Sequence, residues 1–412
     1  MKIISAIKQY IGSIVRRFIN AITPKDNTLL TFIPHGGCEI DGYNFINYKS
    51  DSALSLFHYI IEKHGDKFKY QVAAGYSEQL KLQELVSQTY PNIDVKIILH
   101  PAYTKNIWNT CKELSKSKYI FTSEAIPFDY INKSQNVFYL GYYASNFKND
   151  FNAHYLKFNK WYKRAYTNFF SSSFGFSQIN ALVYNVPLSK FIITGLVRND
   201  NLLLPYQCPQ LDDWIKSNVE YEVKKVFLYT PTHRDYERTE LTKRSLLGFD
   251  FHSKTIENFL SDNNAVIIIK IHSHQNADVL KRDIPKGILL HHASTDYGLN
   301  ELLQRADCLI TDYTSTYFDY LLLDRPVLFN FYDFDIYQKT RGFAYDPLDA
   351  ILAGEKFSDQ DSMLTKMSQV MKEDKYKEKR EFVRDLLFKY KDPKAAERVY
   401  NFVFDDQKTP DK

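Results

Sequence analysis

The feature that most constrains this chain is an alternation: short apolar runs, rich in β-branched and aromatic residues, separated by amphipathic stretches of helical period. TLLTFIPHGG, YQVAAGY, VKIILH, SKYIFTSE, NVFYLGYY and KFIITG read as strands, and stretches such as Leu54 to Lys63 read as the helices between them. The rhythm resumes with KKVFLYTPTH, NAVIIIKIH, KGILLHH, ADCLITD and RPVLFNF. Strands that alternate with helices build parallel sheets, and two such series predict two Rossmann-like α/β domains. A length of 412 residues exceeds one typical core and agrees with that division. The weakest stretch between the series, roughly Leu202 to Tyr221 with Pro205, Cys208 and Pro209 near its start, is the expected linker. Neither GxGxxG nor GxxxxGK[ST] occurs, so a dinucleotide or P-loop reading lacks its fingerprint.

Composition removes several function classes. The 53 Lys and Arg against 49 Asp and Glu leave a formal charge of +4, too small an excess to argue nucleic-acid binding. Cys38, Cys111, Cys208 and Cys308 form no CxxC pair, which points to neither a disulfide framework nor a zinc site and fits a reducing compartment. The first 22 residues are distinctive. Ile3, Ile7, Ile11, Ile14, Phe18 and Ile22 recur at helical spacing, Lys2, Lys8, Arg16 and Arg17 fall between them, and no acid precedes Asp26. Charges interrupt every apolar run, which argues against a spanning helix or a signal peptide. A basic amphipathic helix lying on an anionic membrane is the expectation, and a helix packed on the protein's own surface is the alternative. The expected domains are therefore an amphipathic helix at 1–24, an N-terminal domain at 25–205, a C-terminal domain at 206–390, and a closing helix and tail at 391–412.

In open α/β sheets ligands bind beyond the carboxyl ends of the strands, so the residues that end each run come next. In the second half these are polar: Thr230, Thr232, His233 and Arg234, then Lys270, His272 and His274, then Asp312 to Ser315, then Lys339, Arg341 and Gly342. Cations, imidazoles and hydroxyls gathered at helix starts are what a pyrophosphate requires. Each has an ordinary structural use as well: a Thr or Ser at such a turn is commonly an N-cap, and Arg341 has Asp346 within reach along the chain.

The run ITDYTSTYFDYLLLDRPVLFNFYDFDIYQKTRGFAYD resembles the signature of the CDP-glycerol glycerophosphotransferase family, the teichoic acid primases and polymerases, in which Asp-Tyr-Ser-Ser is followed by Phe-Asp and then Arg-Gly-Phe. LYTPTHRD, KIHSH and TGLVRNDNLL resemble the family's other segments in order and spacing, and the resemblance extends over about Ser117 to Asp346. It implies a GT-B fold, two Rossmann-like domains with a cleft between them, and transfer of a polyol phosphate from CDP-glycerol or CDP-ribitol to a hydroxyl of a lipid-linked or glycan acceptor, with release of CMP. No cofactor, metal or nucleic-acid partner is implied. By similarity His272 contacts the pyrophosphate, Arg341 adds positive charge, and Thr314 and Ser315 donate hydrogen bonds in the places of the two family serines. Lys270 and Asp312 lie in the same segments, and Thr232 and Arg234 are weaker candidates for the same site.

One departure matters to the chemistry. The family carries a Trp-His-Gly-Thr-Pro-Leu-Lys segment whose His is its expected base, and the matching place here reads QNVFYLGYYASNFKND, with Leu140 before Gly141. A leucine takes no proton. His35 in FIPHGG is the candidate substitute, and His154 lies one helix away from Gly141. Alternatively, a loose transition state needs little base assistance, or the acceptor differs, or activity is lost. Asp333-x-Asp335 imitates a metal-binding pair, but the resemblance already accounts for that loop. Rival readings are a GT-B glycosyltransferase using a nucleotide sugar and an inactive nucleotide-binding assembly subunit. The expected location is the cytoplasmic face of the membrane, as a peripheral protein in teichoic acid or capsule-type polymer synthesis.

Overall fold

The computed structural model describes residues 2–34, 50–75, 79–101, 107–124, 126, 130–141, 166–232, 247–249, 252–270, 284–291 and 297–405. They fall into two compact units, one made of the described residues up to 201 together with 389–405, the other of 202–388.

The first unit begins with helix α1 (Lys2–Ile22) and then follows a strand and helix alternation: β1 (Asp26–Ile33), α2 (Ser52–His64), β2 (Lys69–Ala74), α3 (Gln79–Thr89), β3 (Val95–Leu99), α4 (Ile107–Lys116), β4 (Ser117–Thr122), β5 (Asn136–Tyr139), β6 (Asn168–Ser171), α5 (Phe174–Val183), β7 (Phe191–Ile193) and α6 (Val197–Leu203). The strands form one parallel sheet of seven in the order β3-β2-β1-β4-β5-β6-β7. Successive side chains point to opposite faces. Leu30, Phe32, Phe121, Phe138 and Phe170 enter one core, and Ile33, Ile120, Val137 and Phe169 enter the other. Phe32, Phe121, Phe138 and Phe170 stack across four neighbouring strands at centroid separations of 5.3, 5.3 and 5.9 Å. That aromatic ladder explains why these strands read as nearly unbroken apolar runs. Sequence reading missed β6, whose fourth residue is Ser171 and which runs straight into Ser172 and Ser173.

The second unit continues with α7 (Pro209–Ser217), β8 (Lys225–Thr230), α8 (Ser253–Asp262), β9 (Ala265–Lys270), β10 (Ile288–His291), α9 (Leu299–Arg305), β11 (Cys308–Thr311), α10 (Thr316–Tyr320), β12 (Val327–Asn330), α11 (Phe334–Thr340), β13 (Glu355–Phe357), α12 (Gln360–Lys372) and α13 (Lys377–Leu387). Its six strands are also parallel, in the order β10-β9-β8-β11-β12-β13. The stretch expected to be the linker holds α7, with Leu211 and Ile215 buried. Arg380 on α13 is fully buried, its guanidinium 3.0 and 2.6 Å from the two Asp374 oxygens and 3.0 Å from Asp324 Oδ1. A buried cation is tolerated because its charge and donors are met in this way.

The last helix, α14 (Ala395–Phe404), belongs to the first unit. Ala395, Ala396, Val399 and Tyr400 join the core on the α2 side. Asp200 on α6 accepts from the amides of Ala395 and Ala396, each at 2.8 Å, and so caps its first turn.

Candidate functional site

The second sheet runs outward from β8 in both directions: β9 and β10 lie on one side, β11 to β13 on the other. The point where the winding reverses, between β8 and β11, is where a doubly wound sheet binds ligands. Thr230 and Thr311 end these strands side by side, and the Thr230 hydroxyl donates to Thr311 Oγ1 at 3.3 Å. Asp312 follows and has no exposed surface. Its carboxylate accepts from the Thr232 amide at 2.9 and 3.0 Å, from the Thr232 hydroxyl, and from the Tyr313 amide at 2.6 Å. A carboxylate is stable in the interior when donors surround it in this way. Asp312 therefore ties the ends of β8 and β11 together.

Thr314 and Ser315, both half-buried, lie between that tie and α10. The Thr316 amide donates to Thr314 Oγ1 at 3.4 Å, and the two threonine hydroxyls are 3.3 Å apart. Ser315 occupies the N-cap position with φ −63° and ψ −14°, and its side chain makes no capping bond. The ordinary use of a hydroxyl at such a turn is thus partly met by Thr314 and left unfilled by Ser315.

Arg341 is brought to the same turn by aromatic packing. Tyr313 stacks on Tyr337 with centroids 3.9 Å apart, and Phe343 lies 5.4 Å from Tyr313 and 5.5 Å from Tyr337. Phe331 and Phe334 extend the cluster. Arg341 closes α11, its amide donating to the Tyr337 carbonyl at 2.8 Å, and Gly342 follows with φ +68°, a conformation that suits glycine. The rings that clamp Tyr313 therefore also fix the turn that carries Arg341. Lys270 ends β9, one residue beyond the Ile269 and Tyr229 pair, and is level with Thr230 and Thr311 across three neighbouring strands. Burial pushes its ammonium pKa down. The structure thus places Thr232, Lys270, Asp312, Thr314 and Ser315 at or just beyond the strand ends of one unit, with Arg341 at the end of α11. His272 and Arg234, with His233 and His274, lie outside the described residues, as do His35 and His154. Among the described residues no group of three or more His, Cys, Asp or Glu is placed to hold a metal ion.

In the first unit Leu140 is fully buried in the core beside Phe138, Phe170 and Val197. Its amide donates to the Thr122 carbonyl at 2.9 Å. Gly141 has φ +76°, and a Cβ there would meet Leu196 Cδ2 at 3.2 Å. The position that the family resemblance gives to a base is thus a packed core residue. The winding of this sheet reverses between β1 and β4. At that point His100 Nε2 lies 2.9 Å from Glu124 Oε1 and 3.3 Å from the Pro34 carbonyl oxygen. Sequence reading passed over this pair, and also over the aromatic clamp, because neither carries a local motif: their members meet only through the sheet.

Comparison with known proteins agrees with this architecture. The family model described as CDP-Glycerol:Poly(glycerophosphate) glycerophosphotransferase matches residues 50–405, and the chain belongs to that family. Among individual relatives, a teichoic acid glycerol-phosphate primase of Bacillus subtilis (strain 168) is 28% identical over 214 residues, which is 50% of this chain and 51% of the primase. A teichoic acid poly(glycerol phosphate) polymerase of Bacillus spizizenii is 26% identical over 366 residues, covering 82% of each chain. The chain thus spans about half the length of the primase it matches. The solved structure of the wall teichoic acid polymerase TagF superposes with a TM-score of 0.70 at 18% identity over 98% of this chain and 95% of that one. A UDP-N-acetylglucosamine 2-epimerase gives a TM-score of 0.55 at 13% identity over 94% of this chain and 99% of that one. At these identities the structural likeness defines the fold, which is α/β of the GT-B type.

Proposed function

We propose that the protein is a CDP-polyol phosphotransferase, moving glycerol phosphate or ribitol phosphate from its CDP-activated donor to a hydroxyl of a lipid-linked or glycan acceptor and releasing CMP. The observation that carries this reading is the family match over residues 50–405, which includes the switch point where Asp312 and Thr232 fix the turn bearing Thr314 and Ser315. The relatives act in teichoic acid assembly by their names, and the same class of cell-surface polymer is the product proposed here. Transfer breaks a phosphoanhydride and needs donors and positive charge around oxygens that gain charge as CMP leaves. Ser315, Thr314, Arg341 and Lys270 are of the right chemical type: Lys270 ends β9, Thr314 and Ser315 lie between β11 and α10, and Arg341 closes α11. By the family resemblance His272 contacts the same diphosphate. The test is a panel of CDP-glycerol, CDP-ribitol, CMP-sugars and UDP-sugars with soluble and lipid-linked acceptors, following nucleotide release. Acceptor-dependent CMP release from a CDP-polyol supports the reading, and release only from a nucleotide sugar overturns it.

The site of action proposed is the cytoplasmic face of the membrane. No described helix is long and apolar enough to cross a bilayer. Helix α1 instead packs on α4 through one face, with Asn20 buried and bonded to the Tyr130 carbonyl and Gln135. It leaves Tyr10, Ile11, Ile14, Phe18 and Ile22 between 50% and 70% exposed. An outward apolar stripe on a helix with basic and no acidic residues suits an anionic lipid surface, and the exposed Trp108 of α4 is of the type favoured at that boundary.

A further inference from the structure

We propose that Lys270 is the residue by which the donor site registers the charge of its ligand: the diphosphate of a CDP-polyol seats against its side chain and draws one proton onto it. The inference rests on the phosphotransferase reading and lies wholly within the second unit. Lys270 closes β9. His291 stands opposite it on β10, and because Tyr229 stands opposite Ile269, Thr230 is level with it on β8. Thr311 continues the line on β11. His291, Lys270, Thr230 and Thr311 therefore form one row across four neighbouring strands at their carboxyl edge, and the row includes both strands of the switch point.

Successive residues of a strand face opposite sides of the sheet. Ile269, Tyr229 and Ile310, each one residue earlier, enter the core on one side, so the row presents its side chains on the other. Its members differ in what they have to spare. The Thr230 hydroxyl donates to Thr311 Oγ1 at 3.3 Å, and the Thr311 hydroxyl lies 3.4 Å from the Thr230 carbonyl oxygen. His291 is buried, with the Tyr297 and Trp214 ring centroids 5.2 and 6.2 Å from its own. Lys270 is half-buried, so a cation stands at the edge of the sheet between a threonine and a histidine.

The charged groups near the row are engaged elsewhere. Glu301 of α9, the helix that packs on β8, accepts from the Gly298 amide at 3.0 Å, and Arg305 of the same helix donates to Asp212 at 2.6 Å. Asp312, next after Thr311, accepts from Thr232 and Tyr313. His291 adjoins Lys270 on β10, with Tyr297 beyond it. Burial is the sole influence that moves the Lys270 ammonium, and it lowers the pKa. An amine shifted by burial alone releases its proton at a lower pH than an exposed lysine does. A diphosphate seated there favours the charged form again, so binding takes one proton from solvent as pH rises through the lowered value. The amine gains one N–H bond, and no other covalent bond changes. Donor affinity therefore declines with pH over that interval, because the free site must be recharged before it holds the anion.

The test is calorimetry of CDP-glycerol and CDP-ribitol binding to the full chain at several values between about pH 8 and 10, above the ordinary range of histidine. Each titration is run in two buffers of different ionisation enthalpy, which counts the protons taken up. The wild type is expected to take up a proton over part of this range, with affinity falling as pH rises. Lys270→Arg, charged throughout, is expected to bind without uptake and with an affinity that does not vary over the range. Lys270→Met is expected to show no uptake and to bind about tenfold or more weakly. Wild-type binding without uptake at any pH tested, or equal uptake by the wild type and Lys270→Met, overturns the proposal and leaves the phosphotransferase reading standing. A wild type that binds neither CDP-polyol removes that reading and the proposal with it. Should Lys270→Met fail to fold, Lys270→Arg decides: uptake equal to that of the wild type overturns the proposal, and its loss supports it.

Discussion

Ser315 and Asp312 stand in one turn and divide its work. Asp312 is buried and satisfied by donors from Thr232 and Tyr313. Asp312→Ala leaves those donors without an acceptor, and unfolding by denaturant is expected to show a loss of about 2–4 kcal/mol. Ser315 makes no capping bond. Ser315→Ala is therefore expected to change stability by less than about 0.5 kcal/mol while weakening CDP-polyol binding by about 5- to 10-fold, the worth of one lost hydrogen bond. Asp200 gives a pH signature. Burial, opposed by the Ala395 and Ala396 amides, pushes its carboxyl up to about 6 from 3.8. The folded chain then holds a proton that the unfolded chain has released, so this contribution to stability is complete below the unfolded value and fades as pH rises through about 6. Melting curves should show less decline between about pH 4 and 6 for Asp200→Asn than for the wild type. The polar end of β11 was legible because an acid and three hydroxyls break its apolar run. The core burial of Leu140 was not, since sequence shows which base is missing but not what fills its place.

Elements carry the next set of consequences. The aromatic clamp of Tyr313, Tyr337 and Phe343 joins the end of β11 to the end of α11, although the rings are far apart in sequence. Tyr337→Ala removes a buried ring and is expected to cost about 3–5 kcal/mol, and donor affinity should fall with it because the Arg341 turn loses its support. Helix α1 makes the opposite prediction. Phe18→Glu and Ile14→Glu change exposed side chains, so melting should be nearly unchanged, while cosedimentation with anionic vesicles should drop at least about tenfold. Equal cosedimentation would mean that the outward stripe has another purpose. The alternation of runs made most strands readable, because a strand buried on both faces is a continuous apolar run. Strands β6 and β13 escaped because NFFS and EKF carry only two apolar residues and one.

At the scale of the molecule, each unit is a doubly wound sheet with its own switch point, and each switch point is bridged by an acid: Asp312 with Thr232 in one, Glu124 with His100 in the other. The two bridges differ in chemistry. Asp312 is spent on backbone and hydroxyl donors, whereas Glu124 is partly exposed and backed by an imidazole. The proposed donor site was legible from sequence because hydroxyls and cations follow the strands in contiguous motifs. The Glu124 and His100 pair was not, because its members follow different strands and meet only when β3, β2, β1 and β4 lie in order. The most direct measurement is CMP release by the purified chain from CDP-glycerol or CDP-ribitol, with and without a lipid-linked acceptor, beside Ser315→Ala and Arg341→Ala. Acceptor-dependent release that both substitutions reduce is the predicted result. Release from nucleotide sugars alone, or no release from either CDP-polyol with any acceptor, would contradict the assignment.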